Sequence, residues 1–321
     1  MSIAREAVRR AAIAAGLHER RLGRKLARSG NRLVLLLHRV LPAEAKGDLS
    51  PPGMVIGDEN FLRLLDWLGG RFDFPSPSAF LERFPEPLPR PAVLLTFDDG
   101  WLDTVRIAVP AMRERKREGV VFVTAAHATG GRLFWPERLR AFRERLDRRR
   151  FREIAGAGDS GDGGSWEKVL DAFKRMGDAA REEVLRRLAE ESGGEPDGRR
   201  VAIWEEIALL PSQGIEIGSH GLSHRLLTLL SEAEAFQELE VSRREILERT
   251  GSPSRLIAYP NGDRNETVKN LARRAGYEFA FSICGTPRDR YDIPRVNLHD
   301  GKMTGPAGSW SEGRLIWALG S

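Results

Sequence analysis

The chain has 321 residues, of which 41% are hydrophobic and 30% are charged, a composition that excludes a disordered or fibrous protein. Its 51 Lys and Arg residues exceed its 46 Asp and Glu residues by five. Residues 1–28 alone hold eight basic and two acidic side chains, a charge of +6. The remainder is electrically balanced, so we expect no nucleic-acid partner. Residues 1–32 are predicted to form a basic amphipathic leader helix, in which residues 1–28 either pack on the domain or contact a membrane surface.

The cysteine content and the hydropathy pattern indicate the cellular compartment of the protein. Cys284 is the only cysteine, which excludes an intrachain disulfide and a thiolate zinc cluster. It ends an apolar segment, so we expect a small buried side chain. No segment reaches the roughly 18 apolar residues of a transmembrane helix, and no export signal is recognisable. We therefore expect a cytoplasmic protein, placed on the inner face of the membrane if the leader binds lipid.

Strands and helices alternate along the chain, which indicates parallel βα units. In chain order we predict a strand at 33–37, a helix at 58–68, a strand at 93–97, a helix at 101–118, a strand at 120–124, a helix at 204–210, a strand at 214–218, a helix at 231–250, a strand at 256–259, a helix at 268–276 and a strand at 279–283. Residues 132–200, rich in Arg and Glu around a Gly-rich loop, are predicted to be a helical insertion. The predicted organisation is a leader (1–32), an α/β barrel domain (33–299) containing that insertion, and a C-terminal tail (300–321).

Two adjacent carboxylates, Asp98 and Asp99, follow a predicted buried strand in the motif Thr-Phe-Asp-Asp-Gly at 96–100. Loops at the carboxyl ends of parallel strands converge on one cleft, which commonly hosts catalytic residues. Asp-Gly is also a common turn, and Asp is a common helix cap. Because adjacent carboxylates repel each other unless a cation lies between them, the pair favours a metal site.

Two histidines, His220 and His224, follow another predicted strand. Their four-residue spacing places both rings on one side of a helical turn, which suits binding of one metal ion. A pair of surface histidines is the alternative. Two His and one Asp make an open three-ligand site. Zn²⁺ suits these ligands best, and Co²⁺, Ni²⁺ and Mn²⁺ are alternatives.

Together the two motifs resemble those of the polysaccharide deacetylase family, the carbohydrate esterases (family 4) that share a NodB-type homology domain. The resemblance covers residues 33–296 apart from the insertion, with Gly221 where the family usually has Ser or Thr. It implies a distorted, incomplete (β/α) barrel and metal-dependent removal of an N-acetyl group from an amino sugar. It also implies a general base, Asp98, and three ligands for one divalent metal ion, Asp99, His220 and His224.

The third motif of the family, Arg-x-Pro-(Phe/Tyr)-Gly, is changed here to Ala-Tyr-Pro-Asn-Gly at 258–262. The chain resembles an exopolysaccharide-type subgroup with an Ala-Tyr-Pro-x-Gly motif, so the missing arginine does not by itself imply an inactive enzyme. The resemblance implies that the backbone N–H of Asn261 is an oxyanion donor. Arg295 either replaces the missing guanidinium or forms a surface salt bridge. Tyr259 and Arg295 are candidate substrate-binding residues.

Aromatic residues near the motifs have two interpretations. Trp101, Trp135 and Trp204 are either platforms on which sugar rings stack or packing residues of the core and the insertion. Of these three, Trp101 is the third candidate substrate-binding residue. His127 also follows a predicted strand, and we expect it to be structural.

The general acid of the family lies in a Leu-x-His motif, which occurs twice here. His38 ends the first predicted strand, as in the exopolysaccharide subgroup, whose motif order is circularly permuted. His299 lies near the end of the chain. We favour His38 as the acid.

The resemblance thus implies a metal-dependent N-deacetylase for an N-acetylated sugar in surface polysaccharide or glycolipid assembly. A deacylase of another small amide is one alternative. A catalytically silent carbohydrate-binding relative is another, because the motif arginine is missing. A nucleic-acid adaptor acting through the leader would show steeply salt-dependent binding. The sugar, the metal and the oligomeric state are left open.

Overall fold

The computed structural model describes residues 9, 12–13, 15–45, 50, 53–131, 133–156, 166–196, 198, 200–305 and 308–321. These residues form two compact units. The larger unit takes its described residues from 1–46, 51–131 and 201–321, and the smaller unit from 47–50 and 132–200. Part of the predicted leader, residues 1–8, 10, 11 and 14, lies outside the described residues.

The larger unit is built on parallel strands. Those found in its described residues are β1 (Arg32–Leu37), β2 (Arg39–Leu41), β3 (Val55–Gly57), β4 (Ala92–Phe97), β5 (Gly119–Val123), β6 (Ile215–Ser219), β7 (Leu256–Ala258), β8 (Phe279–Ser282), β9 (Ile293–Pro294) and β10 (Val296–Asn297). One parallel sheet has the spatial order β10-β1-β4-β5-β6-β7-β8-β9, and β2 pairs with β3. Only Arg295 separates β9 from β10 in sequence, so the two ends of the sheet meet at this segment, which we call the seam (residues 293–297). The predicted distorted (β/α) barrel is confirmed.

Helices connect the strands. The described helices are α1 (Leu17–Arg28), α2 (Asp58–Gly69), α3 (Pro77–Leu81), α4 (Val109–Glu114), α5 (Ala125–Ala128), α6 (Trp135–Arg145), α7 (Arg148–Ala155), α8 (Trp166–Arg175), α9 (Asp178–Glu191), α10 (Trp204–Ile207), α11 (Glu232–Thr250), α12 (Glu266–Arg274), α13 (Asp300–Met303) and α14 (Glu312–Leu319). A π-helical turn (Thr104–Ala108) precedes α4, and short 3-10 turns occur at Ala43–Ala45, Pro211–Gln213, Leu227–Leu229 and Pro260–Gly262. Within the described ranges, every helix is too short or too polar to span a lipid bilayer.

Alternate residues of the strands enter two apolar clusters, as the pleat of a strand requires. Leu33, Leu35 and Leu37 pack with apolar residues of α2 and α4. Val34, by contrast, belongs to a second cluster with Phe122 and other strand residues. Because both faces are covered, β1, β4 and β5 are buried along their whole length, which explains their continuous apolar sequences. The second cluster fills the barrel interior.

Some local expectations are wrong. The helix predicted at 101–118 ends at Glu114, and Lys116 has a φ of 53°, a left-handed conformation that a helix cannot continue through. Residues 300–321, predicted to be a tail, contain α13 and α14. Cys284 is exposed, because β8 ends at Ser282 and the chain has left the core before it reaches the thiol.

The smaller unit contains α6, α7, α8 and α9. Its core combines apolar residues of all four helices, among them Phe142, Phe151 and Phe173. Trp135 stacks on Phe173 with ring centroids 5.9 Å apart, so this tryptophan packs within the unit. From residue 157 onward the predicted Gly-rich loop lies outside the described residues.

Candidate active site

The two sequence motifs meet at the carboxyl edge of the barrel. Asp98 follows β4, and its N–H donates to the Leu37 carbonyl at 3.0 Å. His220 follows β6, and its N–H donates to the Val123 carbonyl at 2.8 Å. These bonds extend the strand ladders into the motifs. The rigid sheet therefore sets the backbone position of both motifs.

Asp99, His220 and His224 form a cluster whose potential ligand atoms all lie within 4.8 Å of one another. Asp99 Oδ1 is 3.4 Å from His224 Nε2 and 3.6 Å from His220 Nε2. Ligands of one tetrahedral ion lie roughly 3.3–3.4 Å apart when each bond is about 2.0–2.1 Å. His220 Nδ1 is 2.8 Å from the Ala258 carbonyl, which requires the proton on Nδ1 and leaves the Nε2 lone pair facing Asp99. The donor set fits one divalent ion.

The surroundings keep His224 neutral. Burial lowers the pKa of His224 to about 4, with the Asp99 carboxylate opposing the shift and His220 adding to it. A neutral imidazole is the form that binds a metal. His127 makes a smaller contribution in the same direction. Its expected structural role stays a prediction.

Asp98 forms a bidentate ion pair with Arg295 at the seam. Its two carboxylate oxygens accept from Arg295 Nη1 at 2.6 Å and Nη2 at 2.8 Å, and both residues are 3% exposed. Burial by itself would raise the pKa of Asp98, but Arg295 and then His220 outweigh it and lower the pKa to about 2. The carboxylate is ionised at neutral pH and can accept a proton. The guanidinium is therefore not part of a surface salt bridge, and the assignment of Arg295 to substrate binding does not fit this buried position.

Trp101 contacts the cluster through Asp99. Its indole N–H donates to Asp99 Oδ2 at 2.9 Å, and the Arg39 guanidinium lies 4.6 Å from its ring centroid. Arg39 in turn donates to Asp103 at 2.8 Å. Trp101 is 1% exposed, so its interpretation as a sugar-stacking residue does not fit the structure. It orients a metal-ligand candidate instead.

Two other aromatic candidates are buried as well. Tyr259 is completely buried, and its hydroxyl donates to the Tyr291 carbonyl at 3.0 Å. The assignment of Tyr259 to substrate binding does not fit this position. Trp204 is 6% exposed and donates to the Thr129 hydroxyl at 3.2 Å. Both side chains stabilise the barrel.

Asn261 lies at the carboxyl end of β7, on the edge of the barrel that carries both motifs. Its φ of 60° is left-handed, a conformation that Asn tolerates better than most residues. The exposed side chain donates to Asp263 at 2.8 Å. The role of its backbone N–H as an oxyanion donor stays a prediction.

Glu238 of α11 holds the loop between the two histidines. Its carboxylate accepts from the N–H of Leu222 at 3.1 Å, from the N–H of Ser223 at 2.9 Å and from the Ser223 hydroxyl at 2.5 Å. Gly221, where the family has a hydroxyl, has a φ of 81°, and His224 has a φ of 61°. The helical turn expected between the two histidines is therefore wrong, and an irregular loop brings their rings together. Sequence reasoning missed Glu238, although an acid on the buried face of α11 beside Ala235, Leu239 and Ser242 was a usable signal.

The carboxylates of Asp98 and Asp99 affect the pKa of His38 but not that of His299. Burial lowers the pKa of His38, and both Asp99 and Asp98 oppose this shift. Burial lowers the pKa of His299, and Lys302 and His38 lower it further. The Nδ1 atoms of both rings are buried and make no hydrogen bond within the described part of the chain. Strand register agrees with this order, because Leu37 of β1 lies opposite Phe97 of β4 and Leu36 lies opposite Asn297 of β10. His38 therefore follows β1 beside Asp98, and His299 follows β10 on the other side of His38.

Comparison with known proteins gives this geometry a context. The family model for polysaccharide deacetylase matches residues 86–280, more than half of the chain. Streptococcus pyogenes deacetylase PplD in complex with acetate is similar with a TM-score of 0.55 and 14% identity over 84% of this chain and 93% of that one. IcaB from Ammonifex degensii is similar with a TM-score of 0.55 and 20% identity over 90% of this chain and 97% of that one. A de-N-acetylase from Aggregatibacter actinomycetemcomitans is similar with a TM-score of 0.53 and 15% identity over 86% of this chain and 97% of that one. No curated protein sequence matches the chain.

Proposed function

The chain belongs to the polysaccharide deacetylase family, and from this premise we propose a metal-dependent N-deacetylase that hydrolyses the acetamide of an N-acetylated sugar in surface polysaccharide or glycolipid assembly. The observation that carries the proposal is the pairing of a fitted Asp-His-His donor set with a separate carboxylate, Asp98, that is held ionised by Arg295. The neighbours named above, a deacetylase and a de-N-acetylase among them, support the same reaction class.

In this proposal Asp99, His220 and His224 hold the ion, best suited to Zn²⁺, with Co²⁺, Ni²⁺ and Mn²⁺ as alternatives. When bound, the ion polarises the acetamide carbonyl and makes water more acidic. Asp98 takes the proton of the attacking water, and Arg295 fixes the orientation of that carboxylate. The N–H of Asn261 donates to the developing oxyanion. His38 gives a proton to the departing amine.

The direct test is release of acetate by purified, metal-supplemented protein from N-acetylated nucleotide sugars, lipid-linked sugars and oligosaccharides. We expect release from at least one class, and we expect Asp98→Asn to lower kcat by about 10²–10⁴ because the general base is lost. The bound metal should remain, since Asp98 is not assigned as a ligand. Equal turnover by Asp98→Asn and the parent protein contradicts the mechanism. If acetate is released from none of the three substrate classes, the result favours a catalytically silent carbohydrate-binding relative.

We also propose that residues 1–28 place the protein on the cytoplasmic face of a membrane. Leu22 of α1 is buried against the barrel, whereas Arg20, Arg24 and Arg28 are exposed. The helix thus packs on the unit and still presents a basic surface to anionic lipid.

Deletion of residues 1–28 should abolish flotation of the protein with anionic vesicles and leave it unbound to neutral vesicles. Deletion of residues 1–15, which keeps α1, is the matched comparison, and a thermal melt checks that each variant is folded. Equal flotation of the full chain and the 1–28 deletion, or flotation of neither, would leave the leader with a structural role only.

A further inference from the structure

The two ligand histidines are joined by a loop that cannot pair its own backbone groups. Residues 220–224, which we call the histidine loop, contain left-handed conformations at Gly221 and His224. This irregular path excludes the repeating hydrogen bonds of a helix or a strand. Unpaired backbone groups are costly when they are buried, so the histidine loop needs hydrogen-bond partners on neighbouring elements.

Glu238 of α11 pairs two consecutive N–H groups of this loop. Its Oε2 accepts from the N–H of Leu222 at 3.1 Å and from the N–H of Ser223 at 2.9 Å, and its Oε1 accepts from the Ser223 hydroxyl at 2.5 Å. The carboxylate is buried, and Glu238 forms no ion pair in the described part of the chain. Burial of a carboxylate is costly unless hydrogen bonds compensate for the lost water. The N–H groups of the histidine loop supply that compensation.

Ser242 extends the same polar face of α11. It lies one turn after Glu238, among the buried residues of the helix. Its Oγ is 2.9 Å from Ser219 Oγ, which accepts from the N–H of Gly221 at 3.1 Å. Tyr277 Oη lies 3.0 Å from Ser242 Oγ and holds the other end of this hydroxyl chain. Through Ser219, α11 therefore reaches a third consecutive N–H of the histidine loop.

The carbonyl groups of the loop are paired by a different element. The N–H of Ala125 donates to the Gly221 carbonyl at 3.2 Å, and the N–H of Ala126 donates to the Leu222 carbonyl at 2.8 Å. Both donors lie at the start of α5, where N–H groups have no partner within their own helix. The side chains of α11 and the backbone of α5 together fix the path of the histidine loop.

We propose that Glu238 and Ser242 are positioning residues, which fix the separation of the two ligand imidazoles and so set the affinity of the site for a divalent ion. This inference rests on the proposed metal-dependent function. Asp99 Oδ1 lies 3.4 and 3.6 Å from the two imidazole Nε2 atoms, close to the separation that one tetrahedral ion requires. A loop that is already held in this arrangement loses little conformational entropy when the ion binds. Partners behind the ligands typically change metal affinity by about 10- to 100-fold.

The first experiment measures Zn²⁺ affinity by competition with a chelating dye, which needs no substrate. Glu238→Leu removes both acceptor oxygens at similar volume, and we expect it to weaken Zn²⁺ binding by about 10- to 100-fold. Glu238→Gln keeps an acceptor for the two N–H groups and a polar partner for the Ser223 hydroxyl, so its affinity should stay close to that of the parent. Ser242→Ala removes only the hydroxyl chain and should cause a smaller loss than Glu238→Leu.

Ile246→Ala is the matched control for general damage to α11. Ile246 is fully buried on the same helix, two turns after Glu238. We expect this control to lower the melting temperature of the metal-free protein and to leave Zn²⁺ affinity unchanged. Parent-like affinity in a folded Glu238→Leu overturns the proposal, and so does an equal loss of affinity in Ile246→Ala.

The second experiment follows hydrogen–deuterium exchange of the metal-free protein at residues 221–223. We expect faster exchange there in Glu238→Leu and Ser242→Ala and parent rates in Glu238→Gln and Ile246→Ala. If Glu238→Leu does not fold, parent rates together with parent Zn²⁺ affinity in Ser242→Ala overturn the proposal.

The two functions can fail separately in these measurements. If Zn²⁺ affinity falls in Glu238→Leu as expected but no protein releases acetate, the deacetylase function fails and the positioning role stands. If the parent releases acetate and Glu238→Leu binds Zn²⁺ as tightly as the parent, the positioning role fails and the deacetylase function stands. A parent protein that binds no Zn²⁺ overturns both the metal site and the positioning role.

Discussion

Asp99→Ala/His220→Ala should abolish binding of the divalent ion. The two residues supply two of the three ligand atoms that lie within 4.8 Å of one another, and one remaining imidazole cannot hold an ion against water. Elemental analysis of the purified parent should give close to one metal per chain, and the double variant should fall to background. Acetate release should be lost in parallel.

A matched double variant separates loss of ligands from general damage. His18→Ala/Asp58→Ala removes one histidine and one aspartate at α1 and α2, away from the cluster, and should retain full metal content. Thermal melts should show that both variants fold. Full metal occupancy in Asp99→Ala/His220→Ala would remove the proposed ion from this position.

His38→Ala should lower kcat by about 10²–10⁴, the range for loss of a general acid, and leave metal content intact. The acid must be protonated to act, so activity of the parent protein falls as the pH rises through its pKa. Burial lowers the pKa of His38 below its ordinary value of 6.5, so this fall in activity begins at mildly acidic pH, and it should disappear in His38→Ala. The corresponding His299→Ala change should have little effect on kcat, because neither Asp98 nor Asp99 affects the pKa of His299.

The reverse result has an equally clear meaning. If His299→Ala collapses kcat and His38→Ala stays near the parent value, the permuted assignment is wrong. The late Leu-x-His motif would then supply the acid.

The parts of the site that the sequence predicts are local in the chain. Asp98 and Asp99 follow a continuous apolar strand, and His220 and His224 follow another, so strand periodicity alone places both pairs at one edge of the barrel. The fold class follows from the same alternation of strands and helices. These features depend on neighbours within a few residues, which a sequence displays directly.

What could not be predicted depends on partners far apart in the chain. The sequence left two roles open for Arg295, because its pairing with Asp98 joins positions 197 residues apart. The neighbouring strands β9 and β10 have two residues each, too few to show a period. Trp101 and Tyr259 have the size and polarity of sugar-binding residues. Burial distinguishes the two roles, and burial depends on the whole fold.

The seam ties the orientation of the proposed base to closure of the barrel. Arg295 lies between β9 and β10, the strands that join the two ends of the sheet, and it binds both carboxylate oxygens of Asp98. Within the closed barrel, burial without this guanidinium would raise the pKa of Asp98. The strand pairing that closes the barrel therefore also supplies the group that keeps this carboxylate ionised and fixed in direction.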